Sequence, residues 1–342
     1  MKPLFSAVTQ RKFRRFRESR RGFYSLIILG GALFLSLFAE FFCNSKPLLI
    51  YYEGAYYFPI FRAYSERTFG GDFETEADYR DPLVIENLQK EGNWVIYPLI
   101  RHDYRNINHN LPGPAPSRPT ADNWLGTDDR GRDVLARLIY GFRLSLLFGL
   151  LLASIGTVLG IIIGAVQGYF GGWLDLLCQR AIEVWSSLPE LYLLIILSAI
   201  FTPSIPLLIG LLSMFGWMGL SAYVRAEFLR ARNFDYVKAA RALGVRDATI
   251  MVKHLLPNTL TPVITFLPFR ISGAIVGLTS LDFLGLGVRS PTPSLGELLR
   301  QATGNVGAWW LSLSTFLVLV TMIILLNFIG EAILKAFDPR RQ

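Results

Sequence analysis

Residues 234–258 read FDYVKAARALGVRDATIMVKHLLPN, a polar, alanine-rich stretch inside a chain that is otherwise mostly apolar. Asp235 is placed to cap a helix, Gly244 suits the left-handed position after its last turn, and Asp247 is placed to cap a second helix that must end by Pro257. The expectation is helix, glycine turn, helix. On the first helix Ala239, Ala240 and Ala242 leave a smooth surface that another backbone can approach, and Tyr236 and Leu243 add apolar contact. The same pattern also fits a plain linker returning the chain to a bilayer, so the side of the membrane on which it lies decides its meaning.

Composition supplies the membrane. With 52% hydrophobic and 18% charged residues in 342, the chain reads as an all-α polytopic membrane protein. The net charge of +8 does not indicate nucleic acid, because the basic residues flank apolar runs, where they set orientation. Cys43 and Cys178 have no C-x-x-C or histidine neighbour, so neither a metal site nor a disulfide framework is implied.

A bilayer core takes about 20 apolar residues as helix, and six spans are expected, at 23–43, 143–168, 174–202, 206–228, 261–285 and 309–333. The first has no small-residue cleavage site and reads as a retained anchor. Before it stand Lys2, Arg11, Lys12, Arg14, Arg15, Arg17, Arg20 and Arg21 against the single acid Glu18, which places the N-terminus in the cytoplasm. Six crossings return Lys335, Arg340 and Arg341 to the same side, together with the loop that carries Arg230, Arg232, Lys238, Arg241, Arg246 and Lys253. The chain then divides into a basic segment 1–22, a first span 23–43, an outer insert 44–137, a five-helix core 138–336 holding the cytoplasmic loop 231–257, and a tail 337–342.

The insert has strand-like aromatic runs (LLIYYEGAYYF, 48–58), a turn at Gly70-Gly71, an acidic helix-like stretch near 81–91 and a proline-rich tail. It is expected to be a small mixed lobe, with His102 and His109 at its surface. TDDRGRD (127–133) lacks the alternating oxygen ligands of a calcium loop and reads as an interfacial turn and helix start.

AARALGVRD followed by KHLLPN resembles the cytoplasmic "EAA" loop of ABC importer permeases, with Lys238 where that family often has Glu, as is common in its peptide-transporting branch. NWLGTDDRGRDVLARLIYGFRLSL (123–146) and LDFLGLGVRSPTPSLGELL (281–299) are similar to stretches of the dipeptide and oligopeptide permeases, in the same order. The resemblance implies the type I importer permease fold and a non-catalytic role. It implies a second related permease, two cytoplasmic ATPase domains, a periplasmic peptide-binding protein and a peptide substrate, in a bacterial inner membrane. It assigns ATPase coupling to Tyr236, Ala239, Ala240, Ala242, Leu243, Gly244, Leu256 and Pro257. Among peptide cargoes it raises peptide-nucleotide antibiotics of the microcin C type. No G-x-x-x-x-G-K-[ST] occurs, so no cofactor is expected on this chain, and ATP and magnesium fall to the partner ATPase.

Charges within spans face protein or a water-filled path. Arg180 and Glu183 are spaced to pair on one helical face; Glu190, Arg270 and Asp282 have no local partner and are candidates for the translocation pathway. Two rival readings stay open. An ion-coupled secondary transporter would show an inverted repeat, and none is found; an enzyme acting through the insert would need a motif such as G-x-S-x-G or H-E-x-x-H, and none is present.

Overall fold

The computed structural model describes residues 7–337. Arg340, Arg341, Lys2 and the tail from 338 onward lie outside the described residues. A short basic helix, α1 (Ala7–Glu18), leads into the apolar α2 (Arg20–Leu37) and the single turn α3 (Ala39–Phe42). The insert contributes strands β1 (Leu49–Tyr52), β2 (Ala55–Tyr57) and β3 (Trp94–Ile96), and helix α4 (Pro82–Leu88). The rest is helical: α5 (Val134–Phe170), α6 (Gly172–Ser186), α7 (Glu190–Ile200), α8 (Ile205–Gly216), α9 (Met218–Ala231), α10 (Asp235–Ala242), α11 (Asp247–Thr249), α12 (Leu256–Phe283), α13 (Leu295–Gly304) and α14 (Trp309–Phe337).

Among the described residues, five helices are long and apolar enough to cross a membrane: α2, α5, 205–231, 247–283 and α14. The sixth expected span, 174–202, is broken. Helices α6 and α7 meet at 64° across Ser187–Pro189, because the residue before a proline is pushed out of helical geometry. At Pro257 the outcome is the opposite, and the expected helix end is not there. A proline offers no N–H to the preceding turn and crowds its carbonyl; over Ile250–Leu255 the backbone widens to π geometry and then runs on as α12.

The described residues form two units, one of 7–30, 145–289 and 320–337, the other of 31–144 and 290–319. The insert is therefore not a unit of its own, since residues 290–319 cluster with it. Within the second unit, Glu53 and Gly54 turn at φ 49° and 82°, a two-residue hairpin that pairs β1 with β2, and β3 adds on the other edge of β1. One face of this sheet buries Ile50 and Tyr52 against Phe69, Tyr79, Val84 and Leu88. Asp81 caps α4 by accepting the Leu83 N–H at 2.8 Å.

Within the first unit, α5 packs through glycine. Gly156, Gly160, Gly164 and Gly168 repeat every fourth residue, on one helical face. A β-carbon at those positions would lie 3.2, 3.0, 2.4 and 2.5 Å from the backbone carbonyl oxygens of Gly216, Trp217, Ser221 and Arg225. The backbones of α5 and the 205–231 helix pair are thus in direct contact, as membrane helices pack when small residues face each other.

Candidate functional site

Helix α10 starts one residue earlier than a capping Asp235 requires. Phe234 is the N-cap, and Asp235 is the first helical residue, its carboxylate 3.5 Å from Lys238. The C-terminus closes as the sequence predicts. Gly244 has φ +76°, its N–H reaches the Arg241 carbonyl at 3.0 Å, and Val245 N–H reaches the Ala240 carbonyl at 3.1 Å, a Schellman closure.

The helix has two faces with different partners. Val237 is fully buried and Ala240 half-buried in a cluster with Tyr169, Val224, Phe228, Ile250 and Leu255, which joins the end of α5 to α9 and to the start of the 247–283 helix. Polar contacts repeat the connection: the Tyr169 hydroxyl donates to Asp247, and the Arg241 guanidinium lies 5.2 Å from the centre of the Tyr169 ring. On the other face Tyr236, Ala239, Ala242 and Gly244 are exposed, and Leu243 is 83% exposed. The eight predicted contact residues therefore divide. Ala240 and Leu256 pack inward on the cluster, whereas the other six, Pro257 included, are exposed. Asp247 holds Tyr169 instead of capping α11, whose N-cap is Arg246.

The three predicted pathway charges also separate. Glu190, at the start of α7, and Arg270, in the middle of α12, line one cavity of about 770 Å³ with Ser186, Pro189, Gly216 and Gly273. Asp282 is elsewhere. It is buried under the turn that ends α12, where it accepts the Val288 N–H at 2.8 Å, and a β-carbon on Gly287 would collide with its carboxylate. Its geometry is that of a turn-closing group, not of a cavity wall. Arg180 pairs with Glu183 at 2.6 Å, as their spacing predicts, and Asp175 is engaged by Arg225 at 2.6 Å, a partner too far along the chain for spacing to reveal.

The binding-protein-dependent transport system inner membrane component model matches residues 156–342, more than half of the chain. The chain belongs to that family. It is 49% identical to the inner membrane ABC transporter permease protein YejE of Escherichia coli over 98% of both chains. It is 47% identical to the peptidoglycan transport system permease protein YejE of Agrobacterium fabrum, over 99% of this chain and 95% of that one. The dipeptide transport system permease protein DppC of Bacillus subtilis is 37% identical, over 65% of this chain and 70% of its own. The chain is a multi-pass inner-membrane permease with the type I ABC importer fold.

Around the start of α5, this permease buries a charge network, part of which falls in the stretch 127–133 that the sequence marks as an interfacial turn and helix start. Asp128 accepts from Arg132 Nε at 2.7 Å, and Arg137 donates to Glu297 at 2.8 Å; Arg137, Arg132 and Asp128 are essentially inaccessible to solvent. Glu297 is held at the third residue of α13, where its N–H is capped by Ser294 at 3.1 Å. The S-x-x-E spacing signals the cap; nothing local signals the arginines 160 residues away. His102, expected at the surface, is buried as well. Its Nδ1 sits 3.1 Å from an Arg80 amino group, and because arginine only donates, that nitrogen accepts and the ring is neutral. Burial pushes the His102 pKa down, with Arg80 acting in the same direction and Asp133 against it; burial pushes the Asp133 carboxyl up. His109 is exposed, as expected, and no metal-binding cluster occurs among the described residues.

Proposed function

We propose that this permease imports short peptides as one of two related membrane subunits, and that α10 is the element on which a pair of cytoplasmic ATPases acts. The observation that carries the proposal is the two-faced helix. Its outer face offers an apolar knob, Leu243, on a flat alanine-glycine surface, while its inner face is welded to three long helices. A force on the knob would thereby reach the α5 end, α9 and the 247–283 helix together, which is what a two-state rocking of membrane helices requires.

In this arrangement both termini and α10 lie in the cytoplasm and the insert lies outside, in agreement with the basic residues around the first span. A periplasmic binding protein delivers cargo, and ATP and magnesium sit in the ATPases, since this chain has no phosphate loop. The names of the relatives speak of dipeptide and peptidoglycan transport. The cargo chemistry they share is a short peptide, and peptide-nucleotide antibiotics of the microcin C type fall within it.

The test is purification of the tagged protein in mild detergent with whatever accompanies it, followed by an ATPase assay. An ATPase and a second permease should co-purify, and replacing 235–244 by a glycine-serine linker should release the ATPase. Leu243→Asp should abolish peptide-stimulated hydrolysis without lowering thermal stability, because the side chain makes few internal contacts. Stimulation that survives both changes refutes the coupling role of α10.

A further inference from the structure

Within the first unit, two opposite charges line one cavity without neutralising each other. Glu190 makes no hydrogen bond or ion pair among the described residues. Arg270 gives one amino group to the Gly216 carbonyl at 2.9 Å, its only hydrogen bond among the described residues. Nearby charges are treated differently. Asp175 and Arg225 pair, and so do Arg180 and Glu183. A guanidinium on a cavity wall whose other amino group has no acceptor within the protein is available to a group that enters the cavity.

The rest of the cavity fits such a group to a narrow chemistry. Gly216, Gly219, Gly273, Ala274 and Gly277 give its wall almost no side chain, so a backbone can lie against it. All four of these glycines, Gly216, Gly219, Gly273 and Gly277, have open space where a β-carbon would stand. The volume of about 770 Å³ is within the range of about 300–1,000 Å³ of sites for small ligands. Arg270 is held across α5 by the absence of a side chain at Gly156, whose β-carbon would lie 2.6 Å from the guanidinium. Its planar fork matches a carboxylate. A short peptide carries a carboxylate at one end and an ammonium at the other, the complement of Arg270 and Glu190.

We propose that this cavity holds a peptide in passage by its two charged ends, Arg270 taking the carboxylate and Glu190 the ammonium. The assignment rests on the peptide-import reading and adds a preference to it: cargo with free termini. Direct binding is measured on the complete transporter complex in nanodiscs without binding protein, using trialanine, trialanine amide and N-acetyl-trialanine. The intact complex should bind trialanine about tenfold more tightly than either blocked form, the effect of one charge-assisted contact. Arg270→Gln should remove the preference over the amide, Arg270→Lys should keep part of it, and Glu190→Gln should remove the preference over the acetylated form only.

Equal affinity of the unaltered complex for all three peptides overturns the assignment, whatever the variants do. So does a loss in Arg270→Gln that is the same for acid and amide. ATP-driven uptake of trialanine by the complex with its binding protein is measured in parallel. Uptake with no dependence on free termini overturns the charge assignment alone, whereas no uptake of any peptide overturns the import reading beneath it.

Discussion

Gly164→Ala isolates what the glycine face of α5 contributes. The added β-carbon would stand 2.4 Å from the Ser221 carbonyl oxygen, 2.9 Å from the Val224 β-carbon and 3.1 Å from the Arg225 nitrogen. Favourable carbon contacts lie at about 3.5–4.0 Å, so relief needs a separation of the two helices of roughly 1 Å. The obstacle is backbone, which cannot swing aside as a side-chain end can. Overpacking of this kind costs about 1–3 kcal/mol, and the better helix propensity of alanine returns about 0.5–1 kcal/mol. The net expectation is a loss of about 1–2 kcal/mol.

Position-to-position comparison makes the reasoning refutable. Gly168, at 2.5 Å from the Arg225 carbonyl, should behave like Gly164; Gly160, at 3.0 Å from Trp217, should lose less; Gly210 in α8 has nothing within 4 Å and should gain. Unfolding midpoints of the four alanine variants in one detergent, followed by tryptophan fluorescence, give the ranking. If Gly164→Ala is as stable as Gly210→Ala, the helices are not held in backbone contact and the close-packing argument fails.

Breaking the buried charge network should be severe: Arg137→Gln leaves Glu297 buried with only the more distant Arg132, at 3.5 Å, and should cost up to about 3–5 kcal/mol. Replacing both at once, Arg137→Met with Glu297→Leu, should recover much of that loss in the same thermal assay, and a double variant no better than the single one would contradict the pairing. The His102 pKa is depressed in the folded state, so its contribution to stability is present above the ordinary histidine value of about 6.5 and is lost as pH falls below it. The raised Asp133 carboxyl acts oppositely, favouring the fold as pH falls. Unfolding midpoints from pH 8 to pH 5 should therefore drop more steeply in the unaltered protein than in His102→Gln; identical slopes would mean that the imidazole is not buried neutral.

Local signals were enough wherever the responsible atoms are close in sequence. Five of the six apolar stretches, the Gly244 closure of α10, the strands within 48–58 and the Arg180–Glu183 pair all follow from period, turn chemistry or helical spacing, and all sit in the structure near where those signals place them. Boundaries slipped where two local rules competed. Both Pro189 and Pro257 interrupt a helical pattern, yet one breaks the helix by 64° and the other is absorbed by a π turn. Propensity ranks proline equally at both.

What tertiary structure decided is which groups meet. Asp282 and Arg270 looked alike as unpartnered charges in one span, and only the fold of the chain after α12 puts a backbone N–H on the first and a cavity beside the second. Arg137 and Glu297, 160 residues apart, carry no mutual mark in sequence, because an ion pair depends on distance in space and burial, not on spacing along the chain. The same holds for the division of α10 into an anchored and an open face. The sequence by itself determined that a polar, glycine-closed helix interrupts a membrane protein; packing against Phe228, Ile250 and Leu255 determined which of its residues remain free to be touched.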